Sequence, residues 1–241
     1  MRIVFSRKGF DSTAGGAPSP IVGGRPISLP IPASHSSTTT YADLGHDALV
    51  ERATRGRLTG RSLCHDDPLF ADGLCWFGQC DAAQGHLRKQ GIGTGDVFVF
   101  FGLFADEATG ERHHRIFGHM RVACHGAPEA LRLSPEWREP PRAHPHLAGS
   151  WNQTNTIYHG PGRIAHHAPP ALRLTREGGP LNRWTIPAWL ARTGLTYHDR
   201  PERWIDGELD SAKRGQEFVA HVGADVEALA WLAEVVAEIE R

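Results

Sequence analysis

Two histidine motifs in the sequence contain side chains that could together bind a metal ion. His65 and Asp67 form a His-x-Asp motif, which matches the local half of a two-histidine, one-carboxylate iron site. His144 and His146 flank a proline. Alternate residues of an extended segment point to one side, so both imidazoles are predicted to reach one ion. Each motif also occurs in ordinary exposed loops, and the prediction requires that the two motifs meet in space.

A second polar cluster follows the first predicted strand. Arg7, Lys8 and Asp11 precede a glycine- and proline-rich stretch at 15–20, which contains Ser19. Arg7 can hold a phosphate or carboxylate with two hydrogen bonds, and Lys8 adds a mobile point charge. Arg7, Lys8 and Ser19 are therefore predicted to bind an anionic substrate, and Asp11 to act as a base or a ligand. The alternative is an ordinary polar turn.

Near the C-terminus, the segment Arg214–Phe218 places an amide beside a carboxylate. In a strand, Gln216 and Glu217 face opposite sides of the sheet. The Gln216 amide can read a nucleobase edge, and Glu217 can act as an acid or base. The alternative is a solvated edge strand. Trp151 and Tyr158 flank a further polar loop and could stack on a base, although aromatic residues in such places commonly belong to the core.

Composition limits the classes of function. The 241 residues carry a formal net charge of −1, which gives no overall basic field to coat duplex nucleic acid. An enzyme that acts on a nucleotide or an extruded base remains compatible with this charge. The sequence shows neither a signal-peptide pattern nor a membrane-length apolar run, so the expected location is cytoplasmic, with no membrane partner. P-loop, G-x-G-x-x-G and G-x-S-x-G motifs are also missing.

The elements that must position these side chains are predicted from apolar patterns. The clearest is the apolar run at 97–104, which with a returning strand forms a hairpin whose Gly102 and Gly118 indicate bulges or curvature. Strands are predicted at 2–5, 97–104, 114–122, 156–158, 171–175 and 215–220, with an edge strand or extended segment at 26–32. Helices are predicted at 47–55, 81–90, 187–193 and 224–239, and a loop at 64–78. The fold class is α+β, a single domain spanning 1–241 with a curved mixed or antiparallel sheet, flanking helices and a C-terminal amphipathic helix.

These motifs, in this order, resemble the nucleotide modification associated domain 3 family. The resemblance rests on the N-terminal segments at 6–12, 15–21 and 30–32, and on later elements at 65–68, 95–102, 144–146, 155–158 and 215–219. It implies a role in modifying nucleotides or the bases of DNA, and it implies no particular reaction or cofactor.

The favoured hypothesis is a metal-dependent enzyme that acts on a nucleotide or a short stretch of nucleic acid. His65, Asp67, His144 and His146 would hold a divalent metal. Fe(II) is favoured because the set contains no thiolate, with oxidation or hydroxylation as the reaction; Zn or Mn is possible, and Zn would favour hydrolysis. One alternative is a metal-free transferase or hydrolase that uses Asp11 and Glu217. The other is a module that binds a modified base without catalysis.

Overall fold

A computed structural model of the protein describes residues 1–33, 37–213 and 215–241, so Arg214 and positions 34–36 lie outside the described residues. The strands are β1 Arg2–Arg7, β2 Ser19–Val22, β3 Arg25–Pro26, β4 Ile31–Pro32, β5 Cys64–His65, β6 Leu69–Ala71, β7 Leu74–Gln79, β8 Val97–Asp106, β9 Arg112–Arg121, β10 Cys124–Gly126, β11 Thr156–Ile164, β12 Arg183–Thr185, β13 Trp204–Ile205, β14 Glu208–Asp210 and β15 Glu217–His221. The helices are α1 Asp47–Thr54, α2 Asp81–Lys89, α3 Pro128–Leu131, α4 Pro145–Ala148, α5 Ala188–Thr193 and α6 Val226–Glu240, with short 3₁₀ helices at Pro170–Leu172 and Pro201–Arg203. This is an α+β fold, as predicted.

The main sheet is mixed and has ten strands. Seven follow the order β15-β1-β8-β9-β11-β7-β6, while β10 pairs with β11, β2 with β8, and β3 with β2. Strand β8 runs parallel to β1 and β2 and antiparallel to β9. The sheet curls so strongly that the end of β7 meets the start of β15, where Gln79 Nε2 lies 2.6 Å from Glu217 Oε1. Strands far apart in the sheet order therefore contribute to one site.

The β8–β9 hairpin contains the bulge that its glycines predict. The register shifts between Phe100, which pairs with Gly118, and Phe101, which pairs with Ile116. A Cβ on Gly102 would lie 2.6 Å from the carbonyl oxygen of Lys8, so glycine allows β8 to pass close to the chain that leaves β1. Gly102 thus allows Lys8 of the predicted N-terminal cluster to lie against β8, a central strand of the sheet.

Each face of the sheet carries a hydrophobic cluster. One face includes Phe5, Phe101 and Trp184 and is covered by α5 and α6. The other includes Phe77 and Phe98, which pack against residues such as Leu87 of α2. Burial of these large side chains supplies the main stabilisation of the fold.

The C-terminal helix forms as predicted, but its buried face is different. The sequence pattern places Val226, Leu229, Ala230, Leu232, Ala233 and Val236 on the apolar face. The buried residues are instead Ala228, Leu232, Val235 and Ile239, whereas Val226 is 76% exposed. Apolar residues cover more of α6 than a single stripe, so its packing partners, and not its periodicity, select the residues that are buried.

Two further local predictions were wrong. The predicted loop at 64–78 contains β5, β6 and most of β7, because pairing with distant strands orders short segments there. The predicted strand at 171–175 gives way to the 3₁₀ helix and isolated bridges. Helix α2 begins at Asp81, as predicted, and Cys80 is its N-cap residue. The segment at 26–32 forms two separate two-residue strands, β3 and β4.

Within the described ranges, no helix has the length and apolar character needed to cross a bilayer.

Candidate functional site

A cleft of about 370 Å³ opens beside the end of β1. Its walls come from the chain after β1, from β4 and β5, from the end of β7, and from the region of α4. It brings together seven of the residues that the sequence predicts for the site: Arg7, Lys8, Asp11, His65, Asp67, His146 and Gln216. Residues from opposite ends of the chain therefore line one cavity.

Three of these side chains form a set that could bind a metal ion. His65 Nε2 lies 3.7 Å from Asp67 Oδ2, and His146 Nε2 lies 4.0 Å from the same oxygen. One donor atom from each of the three side chains falls within 4.8 Å of the other two. Two histidines and one carboxylate are the donors of non-haem Fe(II) sites and also of some catalytic zinc sites.

Asp67 is held rigidly as a carboxylate. Its Oδ1 accepts a hydrogen bond of 2.9 Å from the Gly78 amide and faces His144 Nε2 at 3.2 Å. Burial by itself would raise the pKa of Asp67, but the hydrogen bonds from His144 and His65 outweigh it and hold the pKa well below its usual range. With Oδ1 occupied, Oδ2 is the oxygen directed toward His65 and His146.

His146 is oriented by its neighbours so that Nε2 is available as a ligand. Its Nδ1 donates to Asn155 Oδ1 at 2.7 Å, and Asn155 Nδ2 returns a bond to the His146 carbonyl at 2.9 Å. The indole of Trp151 stacks on the imidazole at a centroid distance of 4.0 Å. Burial lowers the pKa of His146 to about 4, so the ring is neutral at neutral pH and Nε2 carries a lone pair.

His144 does not belong to this set of donors, contrary to the sequence prediction. The His-Pro-His segment is not extended: Pro145 begins α4, and His144 is the residue that caps it. His144 Nδ1 accepts the His146 backbone N–H at 3.2 Å, which places the ring proton on Nε2, the atom that faces Asp67. The buried His144 ring therefore lies behind Asp67 and supports it.

Lys8 and Glu217 form a buried ion pair beside the cleft. Lys8 Nζ donates to Glu217 Oε1 at 2.8 Å and sits 4.4 Å from the centroid of the Phe77 ring. The Gln79 amide donates to the same carboxylate oxygen. Glu217 is 1% exposed, and its Oε2 has no hydrogen-bond partner among the described residues. Lys8 is thus a fixed cation, whereas the sequence predicts a mobile one.

Arg7 and Ser19, both predicted to bind substrate, make structural hydrogen bonds. The Arg7 guanidinium donates to the carbonyls of Ala212 and Lys213 at 2.8 and 2.9 Å, and the side chain still lines the cleft. Ser19 is buried in β2, where its Oγ accepts the Leu29 amide at 3.0 Å. Ser19 is not among the residues that line the cleft.

Asp11 and Gln216 both line the cleft but are held differently. Asp11 Oδ1 accepts three bonds of 2.7 Å, from the amide and hydroxyl of Thr13 and from the Ala14 amide. Burial opposes ionisation of Asp11, but these bonds prevail and lower its pKa, which weakens it as a base. Gln216 is exposed, and its backbone carbonyl accepts the Arg7 amide at 2.7 Å. Its side chain is available to a ligand.

Two important residues of the site gave no functional signal in the sequence. A Cβ on Gly78 would lie 2.2 Å from Cγ of His146, so glycine is required for the ring to pack against β7. Gln79 ends β7 and bonds to Glu217. Only the proximity of distant segments reveals either role. Of the two aromatic residues considered for stacking on a base, Trp151 lines the cleft, whereas Tyr158 is buried in the core.

Comparison with known proteins gives one match. The family model described as "Nucleotide modification associated domain 3" matches residues 2–221. This range includes every residue of the cleft and of the His65–Asp67–His146 set. Neither the curated proteins nor the solved structures contain a significant match to the chain.

Proposed function

Because the chain belongs to the nucleotide modification associated domain 3 family, we propose that it is a metal-dependent enzyme that modifies a nucleotide or a nucleic-acid base. His65, Asp67 and His146 would hold the metal. The observation that carries this proposal is the convergence of their donor atoms within 4.8 Å in a cleft large enough for a small ligand.

The donor set fits a divalent transition metal. Donor atoms bound about 2.1 Å from one ion lie roughly 3.0–3.5 Å apart. His65 Nε2 and His146 Nε2 lie 3.7 and 4.0 Å from Asp67 Oδ2, and no pair of donor atoms in the set is more than 4.8 Å apart, so the set would have to contract to bind an ion. Cys80 also lines the cleft, but burial and the neighbouring Asp81 raise the pKa of its thiol to about 11, so it stays protonated. A set without thiolate favours Fe(II), with Mn and Zn as alternatives.

The choice of metal determines the reaction class. Iron would supply oxidation or hydroxylation chemistry, and zinc would supply hydrolysis. The protein would contribute three ligands, and a metal ion held by three protein ligands keeps a coordination position for water or substrate. This arrangement is typical of catalytic sites and differs from closed structural ones.

The remaining cleft residues suit recognition of a nucleotide. The exposed amide of Gln216 can pair with the edge of a base, and Lys8 can attract an anionic group. Asp11 Oδ2 makes no hydrogen bond within the described part of the chain, so it can accept one from substrate. Glu217, which is buried and does not line the cleft, would position Lys8 through their ion pair.

Metal analysis tests the proposed ligands. Protein without a polyhistidine tag should contain near-stoichiometric metal by inductively coupled plasma mass spectrometry, and His65→Ala and His146→Ala should each remove it. A His166→Ala/His167→Ala variant is the matched control, because it removes two exposed histidines and should keep the metal. Folded wild-type protein that takes up no iron, manganese or zinc would overturn the proposal and favour the metal-free alternative.

A second experiment separates an enzyme from a binding module. Metal-loaded protein is incubated with DNA or with nucleotides, and the nucleosides released by digestion are analysed by mass spectrometry. An enzyme yields a nucleoside of altered mass that His146→Ala fails to produce. Binding without any mass change, by metal-loaded protein, would indicate a module that recognises a base without catalysis.

A further inference from the structure

A second cleft, which we call the arginine cleft, is lined by three arginines. It lies next to the cleft that contains His65, Asp67 and His146, which we call the metal cleft. The arginine cleft has a volume of about 510 Å³, and Arg55, Arg57 and Arg112 contribute to its walls. All three arginines are exposed, and the lining includes no aspartate or glutamate. The cleft therefore concentrates positive charge on a protein whose formal net charge is −1.

Two of these arginines are free to bind an anion. Within residues 1–33, 37–213 and 215–241, the side chains of Arg55 and Arg112 form no ion pair and no hydrogen bond. By contrast, nearby Arg52 is neutralised by Glu107, whose Oε1 lies 2.7 Å away. Arg57 is anchored by a bond of 2.9 Å from Nη2 to the Gly15 carbonyl, which fixes its guanidinium at the cleft wall. Arginines arranged in this way can bind phosphate through several N–H donors.

One loop forms the boundary between the two clefts. Asp11, Thr13 and Ala14 line the metal cleft, whereas Ser12 and Gly16 line the arginine cleft. The loop is compact, since the Asp11 amide bonds to the Ala14 carbonyl at 2.8 Å. A strand of nucleic acid that crosses this loop can place a base in one cleft and a neighbouring phosphate in the other.

We infer that the arginine cleft binds the phosphodiester backbone of single-stranded nucleic acid next to the nucleotide held in the metal cleft. The inference rests on the proposed function and names its substrate as a polymer. The proposed metal ligands are recessed, because the side chains of His65, Asp67 and His146 are 13%, 4% and 4% exposed, so we expect that a base stacked within a duplex does not reach them. An extruded or single-stranded base can. Its flanking phosphates then need a local cation cluster, because the protein has no general basic field.

Binding measurements without metal test the inference. Fluorescence anisotropy in EDTA measures the affinity of a 12-nucleotide single strand, the corresponding duplex, and a deoxynucleoside 5′-monophosphate that competes with the labelled strand. The test variant is Arg55→Gln/Arg112→Gln, and Arg88→Gln/Arg241→Gln removes the same charge outside both clefts. Wild-type protein should prefer the single strand over the duplex and the monophosphate.

The size of the effect follows from counterion release. Each lost phosphate contact on a single strand lowers the slope of log affinity against log salt by about 0.7, so two contacts lower it by about 1.4 and weaken binding about 25-fold at 0.1 M salt. The control variant should lose far less, and monophosphate binding should not change. Unchanged single-strand binding by Arg55→Gln/Arg112→Gln would overturn the inference. So would an equal loss of monophosphate binding, or a wild-type preference for the duplex.

This test of the arginine cleft does not depend on the proposal of a metal site. The strand affinity is measured in EDTA, so it does not depend on whether the protein holds a metal ion. An arginine effect in a protein that holds no metal would support the nucleic-acid surface while refuting the metal-dependent reaction.

Discussion

The substitution His144→Asn isolates the contact between His144 and Asp67. His144 caps α4 by accepting the His146 amide and also faces Asp67 Oδ1, both at 3.2 Å. Asparagine is a good capping residue, so its side-chain oxygen can still accept the His146 amide. Its side chain is too short to reach Asp67 as well. The variant therefore removes one hydrogen bond from a buried carboxylate and leaves the helix cap.

The expected loss of stability follows from the two hydrogen bonds of His144. A hydrogen bond to a charged group contributes about 1.5–3 kcal/mol, so His144→Asn should lower the free energy of unfolding by about that much. His144→Leu also leaves the His146 amide unsatisfied, which adds about 1–3 kcal/mol. Loss of a group that supports a ligand typically weakens metal affinity 10- to 100-fold, and we expect this range for His144→Asn.

Urea unfolding measures the stability, and competition with a chelating dye measures the metal affinity. His159→Leu is the matched control: His159 is also buried, but it bonds to the Cys75 carbonyl and does not line the cleft. This variant should lose stability without losing metal affinity. A folded His144→Asn protein that retains no metal, as expected for His146→Ala, would show that His144 is itself a ligand and refute this reasoning. Metal affinity equal to that of wild type would also refute it, because it would show that His144 does not support Asp67 as a ligand.

Three further predictions concern packing, charge and pH. Gly78→Ala should abolish metal retention, because its Cβ would lie 2.2 Å from the His146 ring. The control is Gly85→Ala, where the space around the new Cβ is open. Normal metal content in Gly78→Ala would contradict the packing argument. Lys8→Met should lower the free energy of unfolding in urea by about 3–5 kcal/mol, because it leaves the Glu217 carboxylate buried without its cation. Adding Glu217→Leu should restore part of this loss. Equal stability of Lys8→Met and wild type would show that the ion pair does not stabilise the protein. Burial lowers the pKa of His114 to about 4, against 6.5 in the unfolded chain, so the unfolded state binds more protons between these values. Stability should fall by up to about 3 kcal/mol from this group as pH drops from 6.5 to 4, and a His114→Gln variant that shows the same slope in urea titrations would exclude His114 as the cause.

The sequence predicts much of the fold because apolar patterns are local. The run at 97–104 becomes the centre of β8, and the positions of Gly102 and Gly118 correctly predict a bulged, curved hairpin. The amphipathic helices at α1 and α2 also begin and end close to their predicted limits. Short strands such as β5 and β6 carry no such pattern, since their order depends on pairing partners from elsewhere in the chain.

The candidate site shows the same division. Residue types alone single out His65, Asp67 and His146 as candidate metal donors, and the structure brings their donor atoms together. Whether His144 or His146 faces the cleft depends on the start of α4, because helical and extended backbones direct their side chains differently. Likewise, Gly78 has meaning only beside the His146 ring.

The sequence by itself therefore determined the α+β class, the central hairpin and the chemical types available to the site. Tertiary structure decided which of those groups meet. Lys8 and Glu217 are 209 positions apart in the chain, yet the pairing of β1 with β15 places them 2.8 Å apart. A local sequence pattern contains no information on such contacts, because the curvature of the whole sheet and the burial of its two faces fix them.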